Sequence, residues 1–362
     1  MRILRNYILR EIAAPFILSL SALLFIMLVA NLIHQADKII APGVSLIDIL
    51  KLFISWIPYL LRYALPISLL MSILLSFGRI SSDNEIAAMT ASGFNLYRII
   101  YPVIVVGLIF SLFSVILNDR IATYSHFASR KILTRIAVSN PISCIEDGTF
   151  LHFNRHIVFI NRIKDNKLMG IKIFETQEGK PPRTIVAREG VLMPDLKNNS
   201  IKLKLIDGSS DQANSENPGD FYQLKFETYV MSLDLSQTQA DKIQKKPKDM
   251  NMRELWKKID NLKTFNIDPI ELILEIHKKI SLAFANLAFV IIALPLAIKT
   301  KRSSKLAGFA IGLVIIILYY ALLASGSALA AKKILSPMLG SWIANIVLIA
   351  AGSFLIFRTV EK

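Results

Sequence analysis

The chain is 362 residues long, 53% hydrophobic and still 19% charged, with a mean hydropathy of +0.49 that agrees with a membrane protein. Its net charge of +15 resembles a nucleic-acid signal, but the clustered excess lies beside apolar spans and in a Lys-rich stretch from Lys242 to Lys258. Headgroup anchoring and a solvated face account for it, or attraction of an anionic partner; no nucleic acid is expected, and the single cysteine, Cys144, excludes an internal disulfide.

In chain order, three apolar spans come first, at residues 13–33, 52–77 and 99–117. Three more follow Lys279, at 280–298, 306–331 and 338–357. Each suits the roughly 20 apolar residues that a helix needs to cross a bilayer. The basic start, with Arg2, Arg5 and Arg10, is not expected to be a signal peptide. Its apolar run is too long, no small-residue cleavage pattern is convincing, and five further spans follow.

Residues 119–278 contain no span. Residues 119–145 continue helically, with Tyr124, Phe127, Ile132, Ile136 and Val138 spaced loosely for one face. The period then changes over 146–236. Ile201, Leu203 and Leu205 alternate with Lys202 and Lys204, and Tyr222, Leu224, Phe226, Thr228 and Val230 repeat the pattern. Asp165-Asn166, Gly179-Lys180-Pro181, Asn198-Asn199, Asp207-Gly208 and Asn217-Pro218-Gly219 read as turns between the strands. Many short strands with no helices between them predict an antiparallel sandwich or open jelly roll. From Gln239 a Lys-rich linker leads to a short helix, capped by Asn251 and running through Lys263, and Asp268-Pro269 opens the helix of the fourth span. The expected fold is a polytopic α-helical membrane protein of six transmembrane helices, three plus three, with an inserted periplasmic β-jelly-roll-like domain. Its divisions are 1–118, 119–278 (β region near 146–236, linker and helix near 239–265) and 279–362.

Orientation follows from the short flanks. With the N-terminus cytoplasmic, the inside carries Arg2, Arg5, Arg10, Arg79, Arg98, Lys299, Lys301, Arg302, Lys305, Arg358 and Lys362. The outside short loops hold Lys38, Lys51, Lys332 and Lys333. This is a positive-inside bias that puts both termini in the cytoplasm and 119–278 outside it.

Chemistry is sparse. Away from their ends the spans hold no Asp, Glu or His, and the one charge well inside is Arg62, four residues before Pro66. Ion-coupled carriers generally place ionisable groups or broken helices at the midplane, and no phosphate-binding G-x-x-x-x-G-K-[ST] loop is present. Energy for any transport therefore comes from another polypeptide. Enzyme motifs are absent, and no cofactor or metal is expected. His152 and His156 lie in a strand-and-turn region where their spacing does not converge, and interfacial anchoring beside Lys278 and Lys279 is sufficient for His277.

The loop from Ser81 to Phe94 is different. Ser82 or Asp83 can cap a short helix near 81–93, with Asp83 and Glu85 in its first turn, Ile86, Met89 and Thr90 on an apolar face, and Gly93 as its stop. Glu85 has no cationic partner within a turn. Such a helix is one that an external ATPase could grip, or an ordinary interfacial connector.

At this point the chain resembles the lipopolysaccharide export permease family, LptF/LptG. The resemblance covers essentially all residues, and its sharpest match is Gly78 through Gly93, with supporting matches at Tyr7-Ile8-Leu9-Arg10-Glu11, the Ala187-Arg188-Glu189-Gly190 turn and Leu294-Pro295-Leu296. It implies an inner-membrane subunit, paired with a paralogous permease, above a separate ATP-binding-cassette ATPase dimer. It would extract lipopolysaccharide and pass it to a periplasmic bridge protein. By this resemblance Glu85, with Asp83, Ile86 and Met89, couples to the ATPase. His34, Lys38 and Arg62 are the cations nearest the positions where the family meets lipid phosphates, although Arg62 could instead snorkel to the interface. Gly308 and Gly312, a small-xxx-small pair repeated at Ala324 and Ala328, form either a subunit interface and gate or packing within the chain. A sensor with an external ligand-binding β-domain, or an exporter of a different lipid, are the alternatives.

Overall fold

A computed structural model describes residues 2–36, 45–139, 148–153, 156–164, 167–175, 183–195, 200–213, 221–233, 245–265, 267–299 and 305–360. Its helices, numbered here in chain order, are α1 (Arg2–His34), α2 (Leu46–Ser82), α3 (Glu85–Ala91), α4 (Leu96–Ile116), α5 (Ala122–Ser139), α6 (Met252–Thr264), α7 (Ile270–Lys299), α8 (Lys305–Ala331) and α9 (Pro337–Val360). Among the described residues, six helical stretches are long and apolar enough to cross a membrane, carried by α1, α2, α4 running into α5, α7, α8 and α9. The apolar spans in the sequence mark only the hydrocarbon crossing. α2 runs 37 residues, about 55 Å at 1.5 Å per residue, against a hydrocarbon core of about 30 Å.

The chain divides into two compact units, one of Met1–Asn31, Phe53–Ala128 and Lys245–Lys362, the other of Leu32–Leu52 and Ser129–Gln244. In the first, α7 is central. Its Ala285, Ala288, Phe289, Val290 and Ala293 are buried, and small side chains let neighbouring helices approach. Polar groups set the register: Asn286 donates to Ser114 Oγ at 2.9 Å, Ser281 donates to the Ser341 carbonyl at 2.6 Å, and Asn345 donates to the Ser281 carbonyl at 2.8 Å. Such bonds within a bilayer are worth about 0.6 kcal/mol on average, so they specify more than they stabilise. Between α8 and α9, Gly326 and Gly340 meet backbone to backbone. A Cβ on Gly326 would lie 2.3 Å from the Gly340 carbonyl oxygen.

Between α4 and α5 a π-turn spans Leu117–Ile121. Beside it a polar clasp holds the segment that returns toward α7. The fully buried Lys279 ammonium donates to Thr123 Oγ1 at 2.7 Å and to the Met250 carbonyl. Asp249, 1% exposed, accepts from the Lys246 N–H at 3.0 Å and meets His126 Nδ1 at 2.5 Å. Asp119 accepts from the Met252 N–H at 2.6 Å. Lys279 thus does more than mark the membrane border, because the Thr123 hydroxyl and the Met250 carbonyl accept from its ammonium in place of water. The Asn251 cap is present as a capping box with Glu254, and Asp268 accepts from the Ile270 N–H at 3.1 Å to open α7.

The second unit carries the antiparallel sheet. Its six strands, β1 (Thr149–Phe153), β2 (His156–Lys164), β3 (Lys167–Glu175), β4 (Arg183–Asp195), β5 (Ser200–Ala213) and β6 (Phe221–Leu233), pair in sequence order. Leu203 faces Leu192 and Met231 across the ladder, and all three are buried. Two expectations are corrected here. Asp207-Gly208 is not a turn between strands but lies within β5, and Ala187-Arg188-Glu189-Gly190 is not a turn but lies within β4. At this level the alternation slips by one residue: Ile185 and Ala187 are buried, then Gly190 and Leu192, with matching slips on β3 and β5. Asp207 and Gly170 take φ of 55° and 64° there. The slip bends the sheet so that both halves keep their apolar side on one core. The other expected turns, Asp165-Asn166, Gly179-Lys180-Pro181, Asn198-Asn199 and Asn217-Pro218-Gly219, lie outside the described residues.

Candidate functional site

On α2, Tyr59, Arg62 and Tyr63 share one face by their i, i+3, i+4 spacing. Arg62 is 7% exposed, and its guanidinium carbon lies 5.7 Å from the Tyr63 ring centroid. Its Nε–H has no acceptor among the described residues. It lines a cleft of about 320 Å³ with Tyr59 and Tyr63, Lys248 from the turn before α6, Glu275, Lys278 and Leu282 from α7, and Tyr320, Leu323, Ala324 and Ser327 from α8. Among the described residues three cations face one carboxylate there, and the buried Tyr320 hydroxyl also has no partner. Leu282, Leu323 and Ala324 give an apolar wall. The arrangement suits an anionic head on an apolar body, because guanidinium offers several N–H donors to phosphate or carboxylate oxygens.

The other candidate lies at the end of α2. α2 runs on through Ser82, so neither Ser82 nor Asp83 caps α3. Asn84 occupies that position instead, with φ of 56° and no side-chain cap. Ile86 is buried and Met89 half-buried against the helical core, while Ala87, Ala88, Thr90 and Ala91 are exposed. Gly93 ends the helix at φ 85°, and the Phe94 N–H donates to the Met89 carbonyl at 3.1 Å. Glu85 does have a partner, supplied by another helix: Tyr7 of α1 donates to Glu85 Oε2 at 2.7 Å. Arg79 closes the group, pairing with Glu11 at 2.7 Å and Asp83 at 3.4 Å and reaching the Tyr7 hydroxyl at 3.5 Å. α3 is thereby tied to α1 through a hydrogen bond and to the core through Ile86.

The remaining sequence-based residues are dispersed. His34 ends α1 and is exposed, and belongs to the other unit; Lys38 lies outside the described residues. Gly312 packs on α2 of the same chain, where a Cβ would lie 2.7 Å from Met71 Sδ, and Gly308 looks toward the Leu74 backbone at 3.6 Å. The exposed side of α8 is formed by Phe309, Leu313, Val314, Ile317 and Leu318. Sequence reasoning missed Tyr7 and Glu11 as partners of the loop, although their i, i+4 spacing on a helix was a usable signal. It also missed the tyrosines around Arg62.

A family model described as lipopolysaccharide export system permease LptF/LptG matches residues 6–358. Among curated relatives, the lipopolysaccharide export system permease protein LptF of Escherichia coli strain K12 is 18% identical over 354 residues, covering 96% of this chain and 93% of the relative. The protein of that name from Shigella flexneri matches at the same 18% and the same coverage.

Proposed function

Because the chain belongs to the LptF/LptG family of lipopolysaccharide export permeases, we propose that it is one of two permease subunits driven by a separate cytoplasmic ATP-binding-cassette ATPase dimer. In this reading it lifts lipopolysaccharide out of the inner membrane and passes it, by way of the β-sheet unit, to a periplasmic bridge protein. The chain has no phosphate-binding loop of its own, so the mechanical step must enter through a protein contact.

The observation that carries this reading is α3. Ile86 and Met89 anchor it to the helical core, its exposed side is small and smooth, and Glu85 is bonded to Tyr7 of α1. An ATPase gripping the exposed side would move α3 as a lever, and the Tyr7–Glu85 bond would pass that movement to α1. The exposed apolar faces of α1, with Ile17, Leu18 and Phe25, and of α8 would meet the paralogous subunit or lipid. Arg62, with Lys248 and Lys278, would hold a lipid A phosphate while the acyl chains lie along Leu282 and Leu323. Both termini are placed in the cytoplasm and the sheet in the periplasm, following the positive-inside bias.

The test is copurification from native membranes in mild detergent. The reading expects an ATP-binding-cassette ATPase, a second permease of the same family and lipopolysaccharide with the chain. Recovery of the chain with phospholipid alone and no ATPase would overturn it.

A further inference from the structure

The cleft that holds Arg62 also holds a carboxylate. Glu275 of α7 is 7% exposed and lines the same space as Arg62, Lys248 and Lys278. It stands three residues before Lys278, on the same side of the helix. The opposite charges do not meet, however. Among the described residues Glu275 forms no ion pair with Arg62, Lys248 or Lys278, and the Arg62 Nε–H has no acceptor. They are still within electrostatic reach, since Glu275, Lys248 and Arg62 each act on the Lys278 ammonium.

Two ordinary roles do not fit such a carboxylate. A structural ion pair would bring the charges together, because burial of charge is repaid only in good contact geometry. A cleft serving only to capture an anion would omit the carboxylate, which repels any phosphate that enters. The α2 side of the cleft is held in place: Tyr59 packs on His126 with ring centroids 4.6 Å apart, and Tyr63 on Tyr320 at 6.3 Å. What separates Glu275 from the cations is the cleft itself, about 320 Å³. Glu275 lies five residues before the apolar run of α7 that starts at Ile280, about 7.5 Å at 1.5 Å per residue. That is within the headgroup layer, about 5–8 Å deep, where lipid phosphates reside.

We propose that Glu275 is a release group for the lipid A phosphate, an inference that rests on the reading of this cleft as the phosphate site. While the cleft is open, Arg62 and Lys278 hold the phosphate and Glu275 stands off. When α2, α7 and α8 close on one another, the Glu275 carboxylate accepts the N–H donors of Arg62 and Lys278, and the phosphate leaves. Without that carboxylate, closing would strand the cations in a space with little water, which is strongly unfavourable. The cations would then keep the phosphate. Glu275 lowers the affinity of the cleft so that the lipid can move on.

The test uses the chain with its paralogous subunit and ATPase, and lipopolysaccharide with or without its lipid A phosphates. Lipid retention is read through a detergent dilution series, and ATP-driven transfer to the bridge protein from proteoliposomes, at matched thermal stability. With the phosphorylated lipid, Glu275→Gln should bind about tenfold more tightly and transfer at least several-fold more slowly, while ATP hydrolysis continues. With the dephosphorylated lipid, Glu275→Gln and the native chain should bind and transfer alike. Native-rate transfer of the phosphorylated lipid by Glu275→Gln, or equal slowing with both lipids, would overturn the release role. Arg62→Gln separates the two levels of the argument. If it loses phosphorylated lipid while Glu275→Gln transfers at the native rate, the phosphate site stands and the release role falls. If neither variant changes retention, the phosphate site falls and the release role with it.

Discussion

Replacing Arg62 separates lipid binding from a structural role. The side chain is 7% exposed and lines a cleft in which Lys248 and Lys278 add positive charge and Glu275 subtracts it. Two unit charges 4 Å apart interact by about 4 kcal/mol at an effective dielectric constant of about 20. The remaining lysines keep part of the attraction in Arg62→Gln, so the expected loss is about 1.4–3 kcal/mol, or roughly 10- to 100-fold in affinity. Arg62→Glu adds repulsion between the new carboxylate and the phosphate, and weakens binding by about a further tenfold. The assay is the lipopolysaccharide-to-protein ratio retained through a detergent dilution series, with all chains at matched levels and matched thermal stability. A purely structural Arg62 makes a different prediction, since Gln and Glu both remove its stacking on Tyr63. Equal retention by the two variants would refute the phosphate assignment.

Four further outcomes follow from the geometry. Glu85→Ala removes the Tyr7 bond that would pass the movement of α3 to α1, so the chain should insert, fold and keep its ATPase in pull-downs yet lose lipid export. Gly326→Val should destabilise the chain by about 1–3 kcal/mol through overpacking, seen as a lower unfolding temperature, because the Gly340 carbonyl oxygen lies 2.3 Å from any Cβ there. Cysteines at the exposed Val314 and Leu318 should cross-link to the paralogous subunit in membranes, whereas one at Gly312 should not, since that position faces Met71. Burial raises the Glu254 carboxyl, but the hydrogen bonds from Lys245 and the Asn251 N–H outweigh it and hold its pKa below the ordinary value. A depressed carboxylate stabilises above its unfolded pKa and loses that effect as pH falls through the folded one. The stability difference between the native chain and Glu254→Gln should therefore be full at neutral pH and shrink below about pH 4.5.

The six crossings were legible because membrane helices announce themselves by length and apolarity, and the strands by their alternation. Asn251 and Asp268 were readable as caps because their chemistry is local. Asp207-Gly208 misled because positive φ serves a hairpin turn and a bend within a strand equally well, and only the pairing partners tell them apart. Glu85 looked unpartnered because its partner, Tyr7, is 78 positions away. Lys279 seemed a border residue because its partners Thr123 and Met250 come from segments separated by the whole β region. The Gly308–Gly312 spacing announced close helix approach but not which helix approaches, and within the chain α2 fills that role.

Extraction of lipopolysaccharide from proteoliposomes tests the central claim most directly. The chain, its paralogous subunit and the ATPase would be reconstituted with lipopolysaccharide, and its transfer to soluble bridge protein measured with and without ATP. ATP-dependent transfer should occur with the native chain and fall to the nucleotide-free level with Glu85→Ala. An assembled, ATP-hydrolysing complex that moves no lipopolysaccharide to the bridge, or a Glu85→Ala chain that moves it at the native rate, would contradict the account.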